Sequence, residues 1–239
     1  VTNSDSRFDR LTTAEMREYD RLAIHELGLP GVVLMENAGA GAASIALTLL
    51  APHVGARVLV ACGPGQNGGD GWVVARRLVN AGCEVHVATT VGIEALRGDS
   101  AVHAHVAIAM GIAHEVVDES AHARWRRELV HADLVVDALL GTGAQGLPRG
   151  AVRLTIEAIV ARTAEPRAPR ILALDLPSGL DADTGRRLGV CVRADATATF
   201  AAPKTGFDGP GALEHLGTVH VVDLGVPPAL LDRVRRGGT

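Results

Sequence analysis

Hydrophobic positions along this chain follow two periods, and the switch between them recurs. Short, almost uniformly aliphatic runs alternate with stretches whose apolar residues return every three to four positions, the mark of buried strands between amphipathic helices. From Arg57 the order is strand Arg57 to Cys62, helix Gly69 to Asn80, strand Glu84 to Thr90, helix near Asp99 to Met110 and strand His114 to Val117. It continues with helix Ser120 to His131, strand Asp133 to Asp137, a helix near Val152 to Arg162 and strand Arg170 to Asp175. Strand candidates at Ala196 to Ala201 and Thr218 to Asp223 and a short tail helix complete the series. Such alternation builds parallel βαβ units, so the expected fold is α/β: a three-layer, Rossmann-like, doubly wound, mostly parallel sheet with helices on both faces. Two helices precede the sheet. Thr12 and Glu15 form a capping box for one that runs to about Glu26 and stops at Gly28, and Pro30 opens a second, GVVLMENAGAGAASIALTLL, with Ala and Gly for close packing. Within it Glu36 and Asn37 either face a site or serve as a cap or partner contact.

Composition narrows the class. The chain has 239 residues, 47% of them hydrophobic, enough for one sizeable core, and no repeat or linker divides residues 1–239. Aromatic residues are only 3%, so Ala, Val, Leu and Ile must build that core. A formal charge of −4 offers no electrostatic case for nucleic acid, and the small arginine groups (Arg76 and Arg77; Arg124, Arg126 and Arg127; Arg186 and Arg187) read as solvated faces. Cys62, Cys83 and Cys191 form no CxxC pair and are expected as reduced, buried thiols of a cytoplasmic protein. No run is expected to span a membrane, and the polar opening VTNSDSRFDR is unlike a leader. The histidines form no HExxH, and His103 and His105 are two apart, on different helix faces, which argues against a transition-metal site.

The candidate chemistry starts in VLVACGPGQNGGDGWVVARRL, residues 58–78. Its glycines let a backbone turn sharply and approach a ligand, and the first amides of the following helix can face an anion. Gly63, Gly65 and Gly68 satisfy GxGxxG, but the second strand ends in Thr89 and Thr90 where a ribose-binding acid would stand in a dehydrogenase; its only acid, Glu84, lies at the far end. No redox cofactor is expected. A turn needing glycine for packing alone would not explain Asn67 and Asp70. Two further loops, DALLGTGAQGLPRG from Asp137 and DLPSGLDADTG from Asp175, leave neighbouring strands in a sheet of order 3-2-1-4-5, so all three overhang one crevice at its carboxyl edge. Asp137 and Asp175 would then approach Asn67, Asp70 and Ser178. Two carboxylates in one crevice call for acid/base work with split pKa values or for a bound cation, and oxygen ligands favour a hard one. Each Asp alone could equally cap a turn. Lys204 is open between a phosphate, an active-site carboxylate and an exposed loop; Asp181 and Asp183 are expected to shape a turn.

QNGGDG, DALLGTG, DLPSGLD and ADATATFAAPKTGF resemble the NAD(P)H-hydrate epimerase family, the YjeF amino-terminal domain, and the resemblance extends from about Met16 to GTVHVVDLGVP. It implies interconversion of the R and S forms of NADHX and NADPHX, cofactors hydrated at C6 of the nicotinamide ring, with one potassium ion per subunit. It further implies a homodimer and a functional partner, an NAD(P)HX dehydratase, which is fused in many bacterial relatives; the chain is thus either a stand-alone epimerase or an excised domain. Carried over by motif, substrate contacts fall on Gln66, Asn67, Gly68, Gly69 and Asp70, on Gly141, Thr142, Gly143, Ala144, Gln145, Gly146 and Leu147, and on Asp175. Cation ligands fall on Asn67, Asp137 and Ser178. Asp175 is the expected acid/base group, with Asp137, the second catalytic candidate, mainly holding the cation. Gln66 departs from the Asn of many relatives by one methylene. The alternative is a non-catalytic nucleotide-binding or scaffold module of the same fold.

Overall fold

Strands that are aliphatic on both faces force helices onto both sides of the sheet. The computed structural model describes residues 10–52, 54–118 and 122–237. Its seven-stranded sheet has the order β3-β2-β1-β4-β5-β6-β7, with every pairing parallel. The strands are β1 Arg57–Cys62, β2 Glu84–Thr89, β3 Ala113–Val116, β4 Leu134–Ala138, β5 Arg170–Leu174, β6 Ala196–Phe200 and β7 Thr218–Val222. The helices are α1 Thr13–His25, α2 Gly31–Leu49, α3 Gln66–Asn80, α4 Gly98–Ala109, α5 His122–His131, α6 Gly150–Thr163, α7 Leu213–Leu216 and α8 Pro228–Arg235. The expected doubly wound order is therefore present and is extended by two strands beyond β5.

Alternate residues of each strand enter different cores. Val58, Val60 and Cys62 of β1 and Leu134, Val136 and Ala138 of β4 pack with α1 to α4 and α8. Leu59, Ala61 and Val135 pack on the opposite face with Trp125 and Leu129 of α5 and Ile156 and Ile159 of α6. The period of two thus sorts each strand between two helical layers.

Sequence pattern and structure differ in three places. α3 starts at Gln66, not Gly69, so Asn67 and Asp70 stand on its first turns. A Cβ at Gly68 would strike the Gly63 carbonyl, and one at Gly69 would meet Met35 and Ser100, so these glycines seat the helix against neighbouring backbone and α2. The short α7 was not anticipated, because four residues carry no period. The expected start of α5 at Ser120, like the opening segment, lies outside the described residues. Finally, α2 does have the length and apolar composition of a membrane-crossing helix. Its buried face, including Leu34, Ala38, Gly39, Ala42 and Ala46, packs against α3 and α4, and a Cβ at Gly39 would strike Val73.

Candidate active site

The loops that follow β1, β4 and β5 meet α1 and α2 around a cleft of about 600 Å³ at the carboxyl edge of the sheet. Asp175 sits at its floor, immediately after β5. Its φ of 65° is left-handed, uncommon for a residue with a side chain. The strain is held by a dense set of bonds. Asp175 Oδ2 accepts from the Thr142 amide at 2.7 Å and from the Thr142 hydroxyl at 2.6 Å, and Oδ1 lies 2.7 Å from Lys204 Nζ. The Asp175 amide donates to the Ala198 carbonyl at 2.8 Å. Burial works to raise this carboxyl, but the charge and hydrogen bond of Lys204, with those of Thr142, hold it below the ordinary value.

Lys204 is fully buried. Besides Asp175, its ammonium reaches Thr199 Oγ1 at 3.0 Å and the carbonyls of Phe200 and Ala202 at 3.1 and 3.0 Å. Of the readings open from sequence, the carboxylate partner is the one observed.

Two other carboxyls face the same cleft in the opposite electrostatic condition. Asp70, on α3, is raised well above its usual value by burial first and then by the charges of Asp175 and Asp20. Asp20, on α1, keeps contact with water, yet the surrounding walls and Asp175 push it up to about 6, opposed by Lys204. A carboxyl held below its ordinary value thus shares the cleft with one held well above it, which is the arrangement of an acid/base pair.

Asp137, at the end of β4, is completely buried behind the cleft. Its Oδ1 accepts from the Ser178 hydroxyl at 2.6 Å and the Leu139 amide at 3.3 Å, while Oδ2 accepts from the Ser178 amide at 2.8 Å. Burial pushes it up to about 6 and these bonds restrain it. No cationic side chain neutralises it among the described residues.

A family model described as YjeF-related protein N-terminus matches residues 31–206. The protein named NAD(P)H-hydrate epimerase from Rhodopirellula baltica is 44% identical over 92% of this chain and 86% of its own length; the one so named from Pirellula staleyi is also 44% identical, over 91% and 93%. The chain belongs to the YjeF-related N-terminal family. A YjeF-related segment also lies within longer relatives: a bifunctional NAD(P)H-hydrate repair enzyme from Thermanaerovibrio acidaminovorans is 44% identical over 91% of this chain, which spans 41% of that protein. The fold is matched by the crystal structure of yeast ynu0, with a TM-score of 0.81 and 21% identity over 94% of this chain and 93% of that one.

On this YjeF-related scaffold the residues expected from motif separate into two groups. Gln66, Asn67, Asp70, Gly141, Thr142, Gly143, Ala144 and Asp175 line the cleft. Gly68 and Gly69 serve packing, Gln145, Gly146 and Leu147 continue along the exposed loop, and Asp137 and Ser178 lie behind the wall. Asn67 is notable because its side-chain oxygen and nitrogen are both buried with no hydrogen-bond partner, beside Gly141. The orphaned oxygen of the Asn67 amide and an uncompensated buried carboxylate are groups that a hard cation would satisfy. Among the described residues no cluster of three His, Cys, Asp or Glu converges as a metal site.

Sequence reasoning overlooked α1 and Asp99 as parts of the wall. Thr13, Arg17, Asp20 and Ile24 lie at helical spacing on one face of α1, a polar-bearing stripe that could have been noticed. Glu36, by contrast, turns away to Arg76 and Arg77, and Asn37 donates to the Leu224 carbonyl at 2.8 Å. Asp181 shapes its turn by accepting from the Asp183 and Thr184 amides, and Asp183 accepts from the Thr13 amide at 2.6 Å.

Proposed function

We propose that the cleft is the seat of NAD(P)H-hydrate epimerase chemistry at C6 of the hydrated nicotinamide, with Asp175 and Asp70 as the proton-transferring pair. The chain is an NAD(P)H-hydrate epimerase by its kinship with the two 44% identical relatives of that name. The observation that carries the mechanism is the opposed setting of two carboxyls in one cleft: Asp175, paired with Lys204 and held below its ordinary value, and Asp70, pushed well above its own by burial and neighbouring charge.

Inversion at C6 follows from that difference. Asp70 gives its proton to the C6 hydroxyl, the C–O bond breaks with assistance from the ring nitrogen lone pair, and water departs. The ring is then cationic, and the carboxylate of Asp175 stabilises it electrostatically. Water returns to the other face of C6 and its proton passes to Asp175. The net change is one proton moved from Asp70 to Asp175, which returns through the water of the cleft before the next turnover, and the reverse direction uses the same groups with roles exchanged.

A potassium ion held by Asn67, Asp137 and Ser178 belongs to the same proposal. It would compensate the buried Asp137 charge and orient the loop that carries Thr142. The proposed setting is a cytoplasmic homodimer working with an NAD(P)HX dehydratase; relatives named bifunctional NAD(P)H-hydrate repair enzymes, of which this chain spans about two fifths, support a second repair activity as partner. Asp175→Asn tests the assignment: kcat should fall on the order of a hundredfold or more with nucleotide binding retained. Near-normal turnover in a folded Asp175→Asn protein would remove Asp175 from the chemistry.

A further inference from the structure

α1 lies outside the matched residues 31–206, yet it forms a wall of the cleft. It is tied in place at both ends. Leu11 forms a parallel bridge with Lys204, its amide donating to the Pro203 carbonyl at 2.9 Å while the Thr205 amide donates to the Leu11 carbonyl at 3.0 Å. Thr12 and Glu15 close a capping box, and Glu26 at the other end pairs with Arg233 of α8 at 2.6 Å. The segment that positions Lys204 under Asp175 therefore also positions α1 over the cleft.

The charged side chains on the described cleft wall are Arg17, Asp20, Asp70, Asp99 and Asp175. Lys204 is committed to Asp175 and to its shell of carbonyls. Arg17 forms no hydrogen bond or ion pair with any described residue. The loop after β4 offers fewer free donors than its glycines suggest, because the Thr142 amide is used by Asp175 and the Ala144 amide by the Gly141 carbonyl at 3.0 Å. A dinucleotide brings two or three phosphates into a wall otherwise dominated by carboxyls. Its charge is met by the free amides at the start of α3 and by one cationic side chain.

We propose that Arg17 binds a phosphate of the dinucleotide substrate, making α1 part of the substrate site. The inference rests on the epimerase reading above. The guanidinium fork matches phosphate oxygens, and the attachment of α1 holds Arg17 one helical turn from Asp20, on the same face. Two phosphate sources carry this chemistry: the diphosphate bridge common to both substrates and the 2′-phosphate of NADPHX.

The test is steady-state kinetics of Arg17→Ala and Arg17→Lys with NADHX and with NADPHX, alongside calorimetric titration with ADP-ribose and with its 2′-phosphate. Arg17→Ala is expected to raise KM about tenfold or more, a larger change than in kcat, with Arg17→Lys intermediate. A rise for both substrates assigns the diphosphate; a rise for NADPHX alone assigns the 2′-phosphate. Unchanged KM for both substrates, or unchanged affinity for both ADP-ribose ligands, overturns the proposal. The titrations require no turnover: weakened binding in Arg17→Ala sustains the Arg17 contact even where the wild-type chain fails to epimerise, an outcome that would instead end the epimerase reading.

Discussion

Lys204 and Asp175 hold each other's charge beneath the cleft, and each would be costly there alone. Removing the ammonium by Lys204→Met leaves a buried carboxylate unpaired, with an expected stability loss of about 3–5 kcal/mol, readable by chemical denaturation. The carboxyl of Asp175 should rise at the same time, moving the acid limb of the rate profile to higher pH; an unshifted limb would mean that Lys204 does not set it. Asp20 makes a prediction of different sign. It loses its proton near 6, facing Asp175, Asp70 and Lys204, with Arg17 one turn away. Ionisation adds negative charge to a cleft that takes up a polyanion, so KM should rise as pH climbs through that value. Asp20→Asn should flatten the rise, and a KM profile identical to wild type would contradict it. From sequence, Asp175 was legible as a strand-end acid, but its state was not: that depends on Lys204, which sits 29 positions along the chain.

At the scale of elements, hydrophobic period located the strands and most helices, because buried parallel strands and amphipathic helices leave distinct patterns. It misplaced the start of α3, where glycine composition imitates a loop. Gly68 is glycine because the Gly63 carbonyl occupies the space of a Cβ. Gly68→Ala should therefore displace the first turn of α3, lowering stability by about 1–3 kcal/mol and weakening substrate binding through Asn67 and Gln66. A variant with wild-type melting and KM would show that the helix start can yield without consequence. The face of α1 was missed for another reason: its buried Met16, Tyr19, Leu22 and Ala23 explain it as a core helix, and the polar stripe beside them becomes meaningful only once a cleft lies against it.

In the whole molecule, the strand order brings three loops to one edge, and this much followed from the alternation of strands and helices. What did not follow was the depth of each residue. Asp137 and Asp175 leave adjacent strands, but one is sealed behind the wall with Ser178 and the other opens into the cleft through a left-handed backbone turn. The ligands of the proposed cation come from three separate elements, Asn67 from α3, Asp137 from the end of β4 and Ser178 from the loop after β5. Potassium should raise the melting temperature relative to choline at equal ionic strength, and Asp137→Asn should abolish that difference; equal melting in both salts would argue against an ion at this place.

Interconversion of the two epimers is tested by starting from R-NADHX alone and from S-NADHX alone, with potassium present, and following both epimers by chiral-resolving chromatography against the uncatalysed rate. Acceleration from both sides to one final ratio is the expected result. No acceleration by the folded protein from either epimer would contradict the account and leave a nucleotide-binding module on the same scaffold.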